Sequence, residues 1–266
     1  MKKTFSILLA ALLVLSLSAA AFAADESDLA YVQGKGTLVV GITDFEPMDY
    51  QNAEGEWIGF DADLARVFAE SLGVEIEFVE INWDNKILEL NGKSIDCIWN
   101  GMTLTDEVMS AASCSKPYMR NAQVVVMRAA DVEKYADVES LAGLNFAVEA
   151  GSAGEMAVEE LGYASTPVTA QADTLLEVKA GTSDACVIDL LMAYAMVGEG
   201  TSYSDLAYTF LLNEEQYGVA FRQDSDLTEA FNAFLLEQYE SGALDELAET
   251  YNLAGSVIEQ VAEDAA

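Results

Sequence analysis

Two patterns of hydrophobic and polar positions alternate along the chain. Short apolar runs bounded by turn residues are separated by stretches in which apolar residues recur every three or four positions. The first pattern is typical of buried strands and the second of amphipathic helices. The pattern of short apolar runs predicts strands at residues 38–41, 74–78, 97–99, 124–126, 146–148, 185–188 and 217–221. A helix is predicted from Asp61, as N-cap, to a stop at Gly73. Strands alternating with helices indicate an α/β fold.

One unit of this pattern occurs twice. Residues 87–96 and 175–184 align without a gap, and in each a helix end passes through a glycine-containing turn to an aspartate and then to an apolar strand. The polar residues Asn100, Gly101 and Asp189 follow these strands. Open α/β sheets bind their ligands at the carboxyl ends of strands. The repeat therefore predicts two similar lobes whose strand ends face a shared cleft.

The first 23 residues have the features of a secretory signal peptide. Lys2 and Lys3 precede an apolar run, and Ala21-Phe22-Ala23 forms a cleavage site of small residues. The apolar run is too short for a membrane anchor, and no cysteine stands at the cleavage point to accept a lipid. We expect an exported chain without a lipid anchor, in a periplasm or outside the cell.

The composition of the chain excludes several classes of partner and of catalytic site. The chain has 46 acidic and 12 basic residues, a formal net charge of −34, which argues against nucleic acid and anionic membranes as partners. The absence of histidine removes Ser-His and Cys-His catalysis and the usual zinc sites. No cofactor or metal is therefore predicted. The three cysteines are an odd number for an exported protein, so at least one is free or pairs between molecules, and a bridge from Cys97 to Cys114 stays open.

A set of short motifs, in this order, resembles the polar amino-acid binding proteins of ABC importers, called solute-binding protein family 3. The resemblance covers nearly the whole chain after residue 23. The motifs are Phe45-Glu46-Pro47-Met48, Gly59-Phe60-Asp61-Ala62-Asp63-Leu64, Asn100-Gly101-Met102-Thr103-Leu104-Thr105-Asp106-Glu107, Ser115-Lys116-Pro117-Tyr118, Ala150-Gly151-Ser152, Ser183-Asp184-Ala185-Cys186-Val187-Ile188-Asp189 and Gln216-Tyr217-Gly218-Val219-Ala220.

The resemblance implies a type II periplasmic binding protein fold, with two Rossmann-like lobes joined by two hinge strands. The implied divisions are a signal peptide at 1–23, lobe one at 24–118 plus 217–254, lobe two at 119–216 with hinge segments at both ends, and an acidic tail at 255–266. The acidic tail is expected to fray.

The resemblance also implies a ligand site. Phe45 and Trp83 stand where aromatic side chains pack on the ligand. Asn100 precedes Gly101, whose backbone groups are expected to meet the α-amino and carboxylate groups together with the Thr103 hydroxyl. These five residues form the part of the predicted site that belongs to lobe one.

Three further residues are expected from lobe two. Ser152 lies at a turn entering a helix, whose partly positive end suits a carboxylate. Asp189 matches the family acid that pairs with an α-ammonium group. Glu149 at the end of its strand, with Asp44 and Glu46 in the first loop, would make the pocket acidic and suited to a cation.

Two departures from the family pattern affect the carboxylate side. The arginine that usually clamps the ligand carboxylate is replaced by Val108, and an aspartate common in the first loop is replaced by Ile42. Arg120, at the first hinge, is the candidate substitute for the missing charge. The alternative is a ligand without a free carboxylate, such as a polyamine or a modified amine.

Several of these residues have a purely structural alternative. Asp189 can be the N-cap of the helix that follows it, and Arg120 a solvated charge. Asp96 and Asp184 are better assigned to turns than to ligand contacts, and Trp99 to the core.

The function implied by the resemblance is an extracytoplasmic receptor. It would bind a small polar or cationic amino acid between its lobes and deliver it, as a monomer, to an ABC import permease without acting as an enzyme. One alternative from another class is a lyase similar to cyclohexadienyl dehydratase, in which paired acids serve as general acid and base. A detached sensor domain is a third.

Overall fold

The computed structural model describes residues 27–262, so the predicted signal peptide and the last four residues lie outside the described range. The strands are β1 (Thr37–Ile42), β2 (Tyr50–Gln51), β3 (Trp57–Ile58), β4 (Glu75–Glu80), β5 (Cys97–Thr103), β6 (Ser113–Cys114), β7 (Met119–Arg128), β8 (Asn145–Glu149), β9 (Ala164–Val168), β10 (Ala185–Asp189) and β11 (Leu206–Phe221). The helices are α1 (Asp28–Lys35), α2 (Phe60–Leu72), α3 (Lys86–Asn91), α4 (Asp106–Ala111), α5 (Ala153–Glu160), α6 (Gln171–Ala180), α7 (Leu190–Met196), α8 (Leu227–Ser241) and α9 (Ala243–Thr250).

The sheet has the same strand order in its two halves. Its path is β4-β1-β5-β11-β7-β10-β8-β9, with β6 beside β11. In the first half β4 and β5 run parallel to β1, and in the second half β9 and β10 run parallel to β8. The central strands β11 and β7 are antiparallel to each other and to β5 and β10. This doubled arrangement confirms the predicted α/β fold with two Rossmann-like halves.

The repeated unit closes onto its neighbouring strand in the same way in both halves. The Asp96 backbone N–H donates to the Val39 carbonyl at 2.7 Å, and an Asp96 carboxylate oxygen accepts from the Val39 N–H at 2.8 Å. Asp184 and Asn145 make the matching pair of hydrogen bonds at 3.0 and 2.9 Å. Both aspartates therefore serve the turn, as the structural interpretation expected.

Two long strands connect the halves. β7 joins the expected hinge segment at 119–122 to the predicted strand at 124–126, and β11 runs for 16 residues from Leu206. They pair from Leu206 opposite Arg128 to Tyr217 opposite Met119, so the connecting residues satisfy their backbone groups within a ladder. Sequence analysis placed a hinge segment at the end of lobe two and a strand at 217–221, but did not predict that β11 begins at Leu206. The lobe boundaries stay a prediction.

Aromatic side chains fill the core of the first half. Trp99 is fully buried, with its ring centroid 4.8 Å from that of Phe231 and 6.2 Å from that of Phe68. Its assignment to the core is confirmed. Cys97 and Cys186 are buried in strands, and both of them, like Cys114, are free thiols.

Three local expectations differ from the structure. The N-cap of α2 is Gly59, and Asp61 lies buried inside the first helical turn because its carboxylate has other partners, described below. Residues 100–103 continue β5 instead of following it. The tail was expected to fray, but the Ile258 N–H donates to the Tyr118 carbonyl at 2.9 Å and Gln260 is buried, because this segment pairs beside the start of β7.

No helix in the described part of the chain is long and apolar enough to cross a membrane.

Candidate ligand-binding site

A small cavity lies where the carboxyl ends of β5, β8 and β10 converge. The predicted site residues that line it are Phe45, Trp83, Asn100, Gly101, Thr103, Glu149, Ser152 and Asp189. Residues of both halves of the sheet therefore contribute to one pocket. The lining residues that sequence analysis did not select are Lys86, Met102, Thr105, Glu107, Val108, Gly151, Ala153, Met156 and Gln171.

The structure does not bring Arg120 to this cavity. Its side chain is exposed, and Nη1 donates to the Val257 carbonyl at 3.0 Å on a different surface of the hinge. Val108 does line the cavity and is buried. Among the described residues that line the pocket there is no arginine, so the carboxylate clamp of the family pattern is absent here.

The close approach of Phe45 requires a glycine at position 101. It has φ +55°, and a Cβ at this position would stand 2.6 Å from Cε1 of the buried Phe45 ring. The Gly101 N–H donates to Asp61 Oδ2 at 2.6 Å, and the Tyr118 hydroxyl donates to the same carboxylate. Burial raises the pKa of Asp61 to about 7, against the lowering effect of these hydrogen bonds. The Gly101 N–H is thus bound by the protein, and Asp61 holds the end of β5 in place.

Asn100 is also satisfied within the protein. Its Nδ2 donates to Thr43 Oγ1 at 2.7 Å, and its Oδ1 accepts from the Thr43 N–H at 2.9 Å. This pair ties β5 to the loop after β1. That loop carries Phe45, so Asn100 supports the aromatic wall of the pocket.

Asp189 forms part of a dense hydrogen-bonded network at the end of β10. It is buried and accepts from the Tyr217 hydroxyl and from Gln171 Nε2, both at 2.6 Å, and from Asn121. Burial, followed by the nearby Glu215, raises the pKa of Asp189 to about 8. Its side chain makes no capping bond to α7, although it stands at the N-cap position. The pure N-cap alternative therefore lacks the hydrogen bond that defines it.

Glu215 lies behind this network and was missed by sequence analysis. Its Oε1 accepts from Thr103 Oγ1 at 2.8 Å, Asn121 Nδ2 at 2.6 Å and Gln123 Nε2 at 2.8 Å. Its Oε2 is buried without a hydrogen-bond partner among the described residues. The Thr103 hydroxyl thus donates its hydrogen bond to Glu215. A glutamate in a polar hinge segment gives no sequence signal for such a position.

Glu149 is the least satisfied acid that faces the cavity. It is 3% exposed, and its Oε1 has no hydrogen-bond partner within residues 27–262. Burial, and then the charge of Asp189, raise the pKa of Glu149 to about 8. A buried polar atom without a partner is destabilising by about 1 to 3 kcal/mol. A cationic or hydrogen-bond-donating ligand would satisfy it.

Ser152 begins α5 as its N-cap. Its Oγ accepts from the Glu155 N–H at 3.1 Å, while the Gly151 N–H donates to Glu155 Oε2 at 2.8 Å. This arrangement resembles a capping box, except that the Glu155 side chain accepts from the residue before the N-cap. Ser152 Oγ accepts from its own helix, so its hydroxyl proton and the N–H groups at the start of α5 are the features that this turn offers to an anion.

Lys86 places a positive charge in the cavity that sequence analysis overlooked. It follows the 3₁₀ turn Trp83–Asn85, which Asn82 caps through its side chain. Its Nζ donates to the Gly151 carbonyl at 2.8 Å and to the Trp83 carbonyl at 3.3 Å, and it stands 5.0 Å from the centre of the Trp83 ring. Burial lowers the pKa of Lys86. In sequence, a lysine in a short amphipathic helix resembles a solvated residue.

A doubled α/β sheet with a buried polar pocket between its halves defines the class of two-lobed solute receptors. Residues 38–254 match the family model of bacterial extracellular solute-binding proteins, family 3. The match covers most of the chain, so the chain belongs to this family. The predicted family and type II periplasmic binding protein fold are confirmed.

Named relatives support the same class. The arginine-binding extracellular protein ArtP of Bacillus subtilis (strain 168) is 28% identical over 254 residues, which cover 93% of this chain and 96% of that protein. The solved structure of holo ArgBP from T. maritima has 34% identity and a TM-score of 0.74, covering 84% of this chain and 98% of that one. Cyclohexadienyl dehydratase of Pseudomonas aeruginosa is 32% identical over 143 residues, 53% of each chain. The family thus consists mostly of binding proteins, with an enzyme among the relatives.

Proposed function

We propose that this chain is a receptor for a cationic amino acid of the arginine class, which it binds in the cavity between its halves. The observation that carries the proposal is the buried, unpartnered Oε1 of Glu149, which lies in the same pocket as Asp189. A ligand with two positive groups and one carboxylate supplies charge to both acids.

The balance of ionisable groups in the pocket supports this choice. Among the described lining residues, the acids are Glu107, Glu149 and Asp189, and the base is Lys86. An acidic amino acid would bring a second carboxylate near these acids, where like charges repel. A cationic amino acid instead permits Glu149 and Asp189 to ionise beside a positive partner. The similarity to arginine-binding relatives agrees with this argument.

A polyamine or modified amine is the second candidate ligand, and it is favoured by the absence of the arginine at Val108. It also carries the positive charges that the acids require. The lyase alternative is less well supported by the pocket, because prephenate carries two carboxylates and would meet three acids and one lysine. We infer a receptor that performs no chemistry on its ligand. Incubation with prephenate, followed by assay for the loss of its ring hydroxyl and carboxylate, tests this point.

The proposal extends to location and partner. The signal sequence predicted at residues 1–23 would export the chain without a lipid anchor. After closing around its ligand as a monomer, the receptor would dock on an ABC permease. Copurification tests the partner. More of the membrane permease should copurify with the ligand-loaded protein than with the unliganded protein.

A thermal melting screen tests the ligand. Free ligand at about 100 times its dissociation constant adds about 2.7 kcal/mol to the free energy of unfolding. We expect large melting shifts with arginine or lysine and none with glutamate or aspartate. Glu149→Gln should reduce the shift with arginine, while the exposed Glu159→Gln serves as the matched control. A large shift with glutamate and none with any cationic ligand would refute the proposal.

A further inference from the structure

We propose that Lys86 is the group that recognises the ligand carboxylate, in the role that a guanidinium has in the family pattern. The inference rests on the proposed amino-acid receptor function and assigns a specificity-determining residue within that pocket. It depends on three observations about Lys86: its unpaired charge, its position between the halves of the sheet and the composition of the rest of the pocket.

The Lys86 ammonium is buried without an ionic partner. It is 9% exposed, and no carboxylate among residues 27–262 lies within ion-pair distance of its Nζ. An ammonium has three N–H donors, and the carbonyls of Gly151 and Trp83 accept two of them. One donor is left, and Lys86 lines the cavity. A buried charge without an ionic partner is destabilising, and an anion bound beside it offsets part of that cost.

The position of Nζ is fixed by a contact between the two halves. Lys86 begins α3 in the first half, and the carbonyl that it contacts belongs to Gly151 at the start of α5 in the second half. A Cβ on Gly151 would lie 2.8 Å from Cα of Asp84, so the backbones meet here. The Trp83 ring limits the ammonium on another side. Lys86 is thus held beside the N–H groups that begin α5, a second feature suited to a carboxylate.

The rest of the pocket offers no other cation. Val108 occupies the position expected for arginine, and Arg120 bonds to Val257 on another surface. Among the described lining residues, Lys86 alone carries a positive charge. A lysine binds a carboxylate as a point charge and lacks the fork of a guanidinium. It therefore leaves room for variation in how the ligand backbone is oriented.

The test compares L-arginine with agmatine, which has the same guanidinium and amine but no carboxylate. Both affinities are measured by titration calorimetry on the wild type, Lys86→Met and Lys86→Arg. We expect Lys86→Met to weaken arginine binding by about 100-fold or more and to leave agmatine unchanged or tighter, because a nearby positive charge has been removed. Lys86→Arg should keep the preference for arginine. Exposed Lys134→Met is the charge-matched control and should change neither affinity.

The outcomes separate this inference from the proposed function. An equal loss of both ligands in Lys86→Met would mean that Lys86 only joins the two halves, and would overturn the inference. Equal affinity of the wild type for arginine and agmatine would also overturn the inference, but would leave the proposed receptor function in place. A wild type that binds no amino acid overturns both. If Lys86→Met does not fold, Lys86→Gln replaces it, because the amide keeps donors for the carbonyls of Gly151 and Trp83. In Lys86→Gln the affinity for L-arginine should fall by about 100-fold while that for agmatine is kept, and an equal loss of both would overturn the inference.

Discussion

The two copies of the repeated unit make the same backbone bonds in different surroundings. Asp96 is fully buried and, besides the strand N–H of Val39, it accepts from Lys35 and from Arg222 Nη2 at 3.3 Å. Asp184 is exposed, and within residues 27–262 its carboxylate accepts from the Asn145 N–H. A similar local pattern therefore fixes the path of the chain, whereas the neighbouring elements decide how much each acid contributes to stability.

The strands that follow the two copies differ as well. β5 ends with neutral residues, and its Asn100 is satisfied by Thr43. β10 ends with Asp189, which lies among other acids and has a raised pKa. The end of β5 thus contributes an amide that fixes the shape of the pocket, whereas the end of β10 contributes an acid. Substitutions at corresponding positions of the two copies test this difference.

The largest effect is expected from neutralising the buried copy of the turn acid. Asp96→Asn should lower the free energy of unfolding by about 3 to 5 kcal/mol, because it leaves Lys35 without its ionic partner and weakens a buried cluster with Arg222. Asp184→Asn should change it by about 1 kcal/mol or less, since an amide oxygen still accepts from the strand N–H. Urea unfolding of both variants measures the difference. Equal losses would show that the surroundings do not distinguish the copies.

The next effect concerns the charged strand end. Asp189→Asn should weaken arginine binding by about 2 to 5 kcal/mol, because an amide does not neutralise an ammonium group in a closed pocket. The fold should survive, because asparagine is nearly isosteric with aspartate and its Oδ1 can still accept from the Tyr217 hydroxyl. Titration calorimetry measures the affinity, with Asp184→Asn as the control at the other acid of the same copy. Unchanged arginine affinity would assign Asp189 to a structural role.

A pH dependence follows from the two acids with a pKa raised to about 8, Glu149 and Asp189. In the unfolded chain they ionise near their ordinary pKa of about 4. The folded, unliganded protein keeps them protonated, so this part of its stability is present below pH 4 and is lost as the pH rises from about 4 through 8. Arginine affinity should rise over the same window, with proton release on binding.

Melting curves without ligand, and calorimetry in buffers of different ionisation enthalpy, measure these two trends. Glu149→Gln should flatten the pH dependence of unliganded stability. Arginine binding without proton release between pH 6 and 8 would contradict the assignment of protonated acids to the unliganded pocket.

The smallest effect concerns one turn residue. The equivalent positions Lys93 and Gly181 both have a left-handed backbone, with φ +60° and +77°. Gly181→Ala should lower the free energy of unfolding by about 1 kcal/mol, because a Cβ is disfavoured in this conformation, whereas its contact with Arg128 Nη1 at 3.7 Å would be an ordinary one. Lys93→Ala is the matched control, because Lys93 already has a Cβ in the left-handed conformation. Its free energy of unfolding should fall by less. Urea unfolding decides, and an unchanged Gly181→Ala variant would contradict the backbone explanation.

Sequence analysis identified site residues at the strand ends that follow the two repeated units, but missed site residues elsewhere. Asn100, Gly101 and Asp189 follow from the period of the apolar runs together with the rule for strand ends. Lys86 and Glu215 did not follow, because a charged residue in a short helix or a polar hinge has the same local pattern whether it is solvated or buried. Arg120 was assigned to the pocket only by its nearness to the hinge along the chain, and its strand directs it to another surface.

The sequence by itself determined the α/β class, the doubled unit and the family, because periodicity and motif order are local properties of the chain. The tertiary structure decided which polar groups remain available to a ligand. The Gly101 N–H and the Thr103 hydroxyl each donate to a protein carboxylate, while Glu149 Oε1 is left without a partner among the described residues. Hydrogen bonding and burial depend on residues distant in sequence, so their outcome is set only when the two halves of the sheet meet.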